Sequence, residues 1–248
     1  MPSAIEIMRK REQEIQSAIL HLSENTKGFT NPELIMIGGY GLRAFISLSR
    51  FTRDCDFALK KKNGWNIDDL KTILPRNYSI KEEEKRGSYG FLRCVKFVKH
   101  NKARIKISMD FMEGEIRGRK PDEIILIDEF MIKNRKFFSI QIADQTVMIP
   151  VPDYPDYFIM KVVSSRASDI RDIASLVHEN GIPPEVKKRI KQVLPNPEIF
   201  KSKIKERIIP EIRRATFVDS WRGIFGTTKY TEKHKREILE QLEGCIKV

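Results

Sequence analysis

The sequence has 248 residues, with 46 Lys and Arg against 34 Asp and Glu, for a net charge of +12. At 40% apolar and 32% charged, it describes a globular chain with a heavily charged surface, long enough for one large domain or two small ones with real cores. The basic balance favours a polyanionic partner without selecting one, and the alternative is a merely basic solvated surface.

The three cysteines, Cys55, Cys94 and Cys245, lack CxxC spacing and the four histidines are scattered. That argues against a disulfide framework, a structural zinc site or an HExxH centre. The first residues are charged and carry no apolar h-region, and no apolar run approaches transmembrane length. The expectation is a cytoplasmic protein with no signal peptide and no membrane contact.

Residues 4–24 predict an amphipathic helix with an apolar stripe of Ile5, Ile7, Met8, Ile15, Ile19 and Leu20, expected to pack on a sheet. A loop follows from Asn25 to Pro32. Next comes the stretch LIMIGGYGLRAFISLSRFTRDCDFAL, Leu34 to Leu59. It reads as a short strand broken at Gly38-Gly39, an arginine-bearing helical segment, a turn, and a second strand entered through Asp54-Cys55-Asp56.

Strand residues alternate faces, so Asp54 and Asp56 project from one side and Cys55 from the other. Two neighbouring carboxylates repel unless a cation lies between them, and Mg²⁺ (or Mn²⁺) takes hard oxygen ligands while leaving room for phosphate oxygens. Two glycines after a strand let the next helix start close to a ligand. Arg43, Arg50 and Thr52 add donors suited to a nucleoside triphosphate. GxxxxGK[ST] and GxGxxG are both absent, which removes the P-loop and dinucleotide fingerprints.

Gly38, Gly39, Leu42, Arg43, Arg50, Thr52, Asp54, Asp56 and Phe57 together resemble the signature of the AbiEii/AbiGii-type nucleotidyltransferases, in the DNA polymerase β-like superfamily. The resemblance implies an α+β fold: a polymerase β-like mixed sheet with flanking helices, then a C-terminal helical domain. It also implies Mg²⁺-dependent use of an NTP. In the resembled family the enzymes are often the toxic half of a toxin–antitoxin or phage-defence pair. The implied partners are therefore tRNA or another RNA as acceptor and a cognate antitoxin.

Further along, Ile67–Leu74 predicts a short helix and Tyr78–Glu84 a strand. Arg86–Gly90 predicts a turn into the strand FLRCVKFV, neither face of which is cleanly polar. Residues 103–112 alternate most clearly, with Ile105, Ile107, Met109 and Phe111 on one face and Arg104, Lys106, Ser108 and Asp110 on the other. Asp110 is the candidate third metal carboxylate, with Glu113 and Glu115 in reserve if the register differs; the competing reading is a solvent-facing strand end. Residues 114–122 read as a basic loop. Ile124–Ile127, Phe137–Ile142 and Thr146–Pro150 read as short strands.

The texture turns helical near residues 150–154, which sets the expected domains at 1–152 and 153–248. Within DYFIMKVVSSRASDIRDIASLVHENG, Asp169 and Asp172 share a helical face. Lys161, Arg166, Asp169, Asp172 and Leu176 resemble the same family's second motif, with a looser fit around the first aspartate. The resemblance implies that Lys161 reaches the nucleotide phosphates, that an aspartate orients it, and that the two halves face one cleft. Charge pairing on a solvated helix is the simpler alternative.

Between Pro183 and Arg214 there are ten basic and four acidic residues, a balance of +6, which suits RNA phosphates or a solvated face alike. Trp221 and Phe225 read as packing anchors, and residues 228–246 as a capping helix. The functional expectation is NMP transfer from an NTP to an acceptor hydroxyl, catalysed by Asp54, Asp56, Asp110 and Lys161. Two alternatives stay open: an antibiotic-type transferase with a small-molecule acceptor, and an inactive nucleotide- or RNA-binding protein.

Overall fold

The structure is a computed structural model that describes residues 3–48 and 50–247. The chain divides into two compact units. One comprises Met1–Ala44, Phe51–Ile116 and Ile127–Pro152; the other comprises Phe45–Arg50, Arg117–Leu126 and Asp153–Val248.

The first unit opens with α1 (Ala4–Asn25). Ser3 starts it by accepting from the Glu6 N–H while the Glu6 carboxylate accepts from the Ser3 N–H, a reciprocal cap that satisfies two donors. The stripe that α1 buries is Ile15, Ala18, Ile19 and Leu22. Ile5, counted in the predicted stripe, is instead 55% exposed, because packing engages only the second half of the helix.

There follow β1 (Ile35–Ile37), α2 (Gly38–Gly41) with a 3₁₀ turn over Leu42–Ala44, and β2 (Asp54–Leu59). After α3 (Asn66–Ile73) come β3 (Ser79–Arg86), β4 (Tyr89–His100), β5 (Ala103–Glu113) and β6 (Glu115–Arg117), while β7 (Ile124–Leu126) is counted in the second unit. Strand β6 falls inside the predicted basic loop. Helix α4 (Glu129–Lys133), capped by Asp128, lies between two of the predicted short strands, in a stretch where the sequence predicts no element. A hairpin of β8 (Lys136–Ile142) and β9 (Gln145–Val151) completes the unit.

Five strands form a mixed sheet in the order β1-β2-β5-β4-β3, with β2 and β5 parallel and every other pair antiparallel. The predicted alternation of β5 holds: Ile105, Ile107, Met109 and Phe111 are buried. On that face Phe57 stacks on Phe111 at 5.4 Å between ring centres, and Phe29 on Phe57 at 6.1 Å. Helix α1 covers this face, and Lys96 of β4 pairs with its Glu14 there. Edge strand β3 reads SIKEEEKR and is exposed throughout; its charges discourage another strand from pairing with it.

The second unit is helical. Its elements are α5 (Tyr154–Ser164), α6 (Ala167–Asn180), α7 (Val186–Val193) and α8 (Glu198–Lys203). A single π turn (Ile204–Ile208) then leads into α9 (Ile209–Arg213), α10 (Phe217–Phe225) and α11 (Glu232–Lys247). Asp153 caps α5 through the Asp156 N–H, and Gly181 ends α6 at φ 71°. Fully buried Trp221 stacks on Tyr230 at 3.7 Å, and its indole N–H donates to Ser175. No helix among the described residues is long and apolar enough to cross a membrane.

Candidate active site

Strand β2 is the foundation of the site. Asp54 and Asp56 lie on the sheet face opposite α1 and are half-buried, while Cys55 between them is fully buried. Asp56 stands in register with Ile37 of β1 on one side and with Asp110 of β5 on the other. The next residue after Ile37 is Gly38, at φ +69°, and a Cβ there would lie 2.2 Å from the Asp56 carboxylate. Glycine is therefore required twice, by the left-handed backbone and by the carboxylate that occupies the side-chain position. The Thr52 hydroxyl lies 3.0 Å from Asp54 Oδ1 and 3.2 Å from the Asp54 carbonyl, so it fixes the entry of the strand.

Asp110 has a partner that the sequence did not reveal. Arg93 of β4 stands opposite it in register and donates through Nε at 2.9 Å and Nη2 at 2.6 Å. The third guanidinium nitrogen reaches Glu82 of β3 at 3.0 Å. The bond to Asp110 outweighs burial and holds Arg93 even more firmly protonated than a free arginine. Across four strands the row therefore runs Asp56, Asp110, Arg93, Glu82. The only signal in the sequence was the parity of Arg93 on its strand, and parity does not give register.

The donor chemistry fits a hard divalent ion at Asp54 and Asp56. Mg²⁺ is commonly held by one or two carboxylates, with substrate phosphates and water completing its shell. Among the described residues no three carboxylate, histidine or cysteine side chains stand close enough to hold a metal ion by themselves. Asp110 is engaged by Arg93. Both reserve carboxylates are also occupied: Glu113 is fully buried and accepts from the N–H groups of Asn66 and Ile67 at the start of α3, and Glu115 bonds to Ser88.

Of the cations named from the sequence, Arg43 lies beside this site in the chain but turns to α1. Its guanidinium pairs with Glu12 at 2.8 Å and stacks over Tyr40 at 4.1 Å. The Tyr40 hydroxyl donates to the same Glu12 oxygen at 2.7 Å, and burial pushes its pKa up.

The helical unit gathers the remaining residues. Lys161, only 4% exposed, donates to Asp172 at 2.8 Å and to Asp169 at 3.0 Å. Arg50 grips the other side of Asp172 with Nε at 2.6 Å and Nη2 at 2.7 Å. Asp169 also accepts from the Ser164 hydroxyl and the Arg166 N–H. Two cations thus balance two carboxylates, the condition under which buried charge is tolerated.

Burial disfavours the Lys161 ammonium, but Asp172 and Asp169 outweigh it and raise its pKa. Burial likewise opposes the Asp169 carboxylate, yet Lys161 and Ser164 hold it below the usual range. The Arg166 side chain is exposed. Arg50, placed by its sequence position in the turn before the aspartates, belongs to the helical unit together with the rest of Phe45–Arg50.

Comparison with known proteins decides the family. The profile described as "Nucleotidyl transferase AbiEii toxin, Type IV TA system" matches residues 22–240. The chain belongs to the AbiEii nucleotidyltransferase family. The sequence resemblance, the mixed α+β fold and the expectation of an enzyme are therefore borne out.

The AbiEii chain is also similar in fold to the crystal structure of JHP933 from Helicobacter pylori. The TM-score is 0.50 at 14% identity, over 100% of this chain and 94% of that one. A second H. pylori structure aligns at a TM-score of 0.47 and 14% identity, over 95% and 94% of the two chains. No functionally curated protein matches.

Proposed function

We propose that this AbiEii-family enzyme transfers an NMP from an NTP to an acceptor hydroxyl on RNA, with tRNA as the first candidate. The observation that carries the reading is the Asp54–Asp56 pair on one face of β2, with the Gly38 backbone pressed against Asp56. Asp54 and Asp56 would hold the Mg²⁺ or Mn²⁺ that accompanies the triphosphate. When bound, the ion neutralises charge at the α-phosphate and aligns the attacking and leaving oxygens.

This chain's own residues supply the rest. The Gly38-Gly39 turn gives close backbone approach to the phosphates, and Thr52 fixes Asp54. The acceptor oxygen bonds to the α-phosphorus as the bond to the bridging oxygen breaks and pyrophosphate leaves. We assign the hydroxyl proton to Asp110, whose carboxylate Arg93 holds in a single orientation. Lys161 is our assignment for the phosphate-binding lysine. Asp169 and Asp172 fix the ammonium between them, which matches the role that the family resemblance implies for an aspartate beside this lysine. The AbiEii family description, which names a toxin of a toxin–antitoxin system, supports a cognate antitoxin as the protein partner.

The test incubates the protein with each α-labelled NTP, Mg²⁺ and total RNA. The expected result is label on a tRNA-sized band from one NTP, abolished in Asp56→Ala. Equal labelling by wild type and Asp56→Ala sinks the site assignment. Label on a small hydroxylated compound in place of RNA transfers the acceptor to the antibiotic-type class.

A further inference from the structure

We propose that the sheet face bearing Asp54 continues into a platform for single-stranded RNA, where basic residues of β4 and β5 hold phosphates and Phe97 stacks a base. The inference rests on the RNA-acceptor reading above and assigns where the strand next to the reacting hydroxyl lies.

Strand register sets the position of the platform. Asp54, the first residue of β2, stands opposite Ser108. Among the described residues, positions 103–107 of β5 pair with β4 alone. Side chains two apart on a strand share a face, so Lys106 and Arg104 continue the face of Asp54 and Ser108. They lie about 7 and about 14 Å further along β5 at the usual strand rise. Phe97 is the register partner of Lys106, and Lys99 is that of Arg104. The two rows beyond Asp54 therefore carry three cations, one aromatic ring and no carboxylate.

Phe97 is 45% exposed, and the Arg104 guanidinium lies 3.8 Å from its ring centre. Sheet-borne aromatic rings and guanidinium planes are surfaces on which unpaired bases stack. Lys99, Lys102, Arg104 and Lys106 are all exposed, and among the described residues none of them pairs with a carboxylate. Lys71 and Lys85 of the same unit are neutralised instead, sharing Asp68 and Glu83. Glu6, which acts on His100 at the end of β4, is itself held by the Ser3 N–H.

The strip reaches the catalytic pair through Arg11 and Arg53. Arg11 Nε donates to the Lys106 carbonyl at 3.4 Å. Burial and the nearby Arg53 lower the Arg11 pKa against the pull of Asp54, so both arginines adjoin that carboxylate. Arg53 is exposed. A duplex keeps its bases paired and away from Phe97, so the chemistry selects a single strand.

Fluorescence anisotropy without NTP or divalent cations tests this on wild type, Phe97→Leu, Phe97→Tyr and Arg104→Gln/Lys106→Gln. The probes are a short unstructured RNA and the same sequence as a duplex. All three positions are exposed, so thermal midpoints should stay with the wild type.

Single-strand affinity should fall about tenfold in Phe97→Leu, the scale of one lost base stack, and be kept in Phe97→Tyr. Duplex affinity should be the same in these three proteins. The double variant should lower the single-strand salt slope by about 1.4. The platform is overturned by unchanged single-strand affinity in Phe97→Leu, by equal loss for single strand and duplex, by an unchanged slope in the double variant, or by no RNA binding in the wild type.

The labelling assay at limiting RNA separates this inference from the reading it rests on. Label lost in Asp56→Ala but kept at the wild-type level in Phe97→Leu overturns the platform and leaves the transferase standing. Phe97-dependent binding by a protein that labels no RNA supports the platform and overturns RNA as the acceptor.

Discussion

At Gly38 a single methyl group acts on the backbone and on the site together. The residue holds φ +69° with the Asp56 carboxylate against its Cα, whereas Gly87, at φ +61°, has nothing within 4 Å of its absent Cβ. Both alanine variants should lose roughly 1–3 kcal/mol from the left-handed backbone, read by chemical denaturation. Only Gly38→Ala should also lose nucleotidyl transfer, because it must push Asp56 out of place. Equal activity in the two variants would detach Gly38 from the site.

Asp172 is the matching case in the helical unit. Truncation to alanine leaves Arg50 and Lys161 short of a buried partner and should cost about 3–5 kcal/mol, with a lower denaturation midpoint. A loss within the range of an exposed ion pair would contradict the burial described above. The aspartates of β2 were legible in the sequence because strand alternation is a local rule. Arg50 and Asp172 were both singled out there, but their contact joins positions 122 residues apart, a separation that no periodicity encodes. The Arg93–Asp110 pair escaped for a related reason, since it depends on how β4 and β5 align.

Helices α5 and α6 were legible from their apolar spacing, and the network between them has a pH signature of its own. Asp169 has a lowered folded-state pKa, so its stabilisation is present above the unfolded value of about 3.9 and is lost as pH falls through the folded one. Lys161 has a raised pKa; its contribution is complete below about 10.4 and disappears only as pH rises through the folded value. The stability of α5 and α6 from this pair should therefore be flat between about pH 4 and 10.

Wild type and Asp169→Asn, melted by circular dichroism across pH, should differ on that plateau, begin to approach each other below the unfolded value of about 3.9 and converge only once pH has fallen through the lowered folded-state pKa, where the wild-type carboxyl is also neutral. A difference that persists unchanged into acid would exclude Asp169 as the ionised partner. The π turn and α4 had no comparable signal. Five residues are too few for a period to emerge, and Pro210 marks only that a helix is interrupted. For α1 the apolar pattern was visible over its whole length, yet burial selected only the part from Ile15 to Leu22, because a pattern cannot say how far the opposing surface extends.

For the whole molecule, the net charge of +12 leaves the acceptor open, and the structure narrows where a polyanion can be held. Not every basic residue between Pro183 and Arg214 faces water. Arg189 is 3% exposed and bonded to Asp156, and Lys203 pairs with buried Glu123. Lys187 and Lys188 of α7 are exposed and, among the described residues, pair with no carboxylate.

An RNA acceptor held by about five phosphate contacts releases counterions on binding, and single strands lose affinity with a slope of roughly 0.7 per contact in log salt. Raising salt from about 50 to about 200 mM should then weaken RNA binding roughly a hundredfold. Removing both charges with Lys187→Gln/Lys188→Gln should lower the slope by about 1.4 and leave thermal stability unchanged. Filter binding or fluorescence anisotropy against salt measures both quantities. An unchanged slope in the double variant takes α7 out of the RNA contact. A salt-independent KM for the acceptor rejects RNA altogether, since a small hydroxylated compound has no phosphate backbone to exchange for counterions. The charge would then be a solvated surface, and the acceptor would have to be recognised by shape and hydrogen bonding instead.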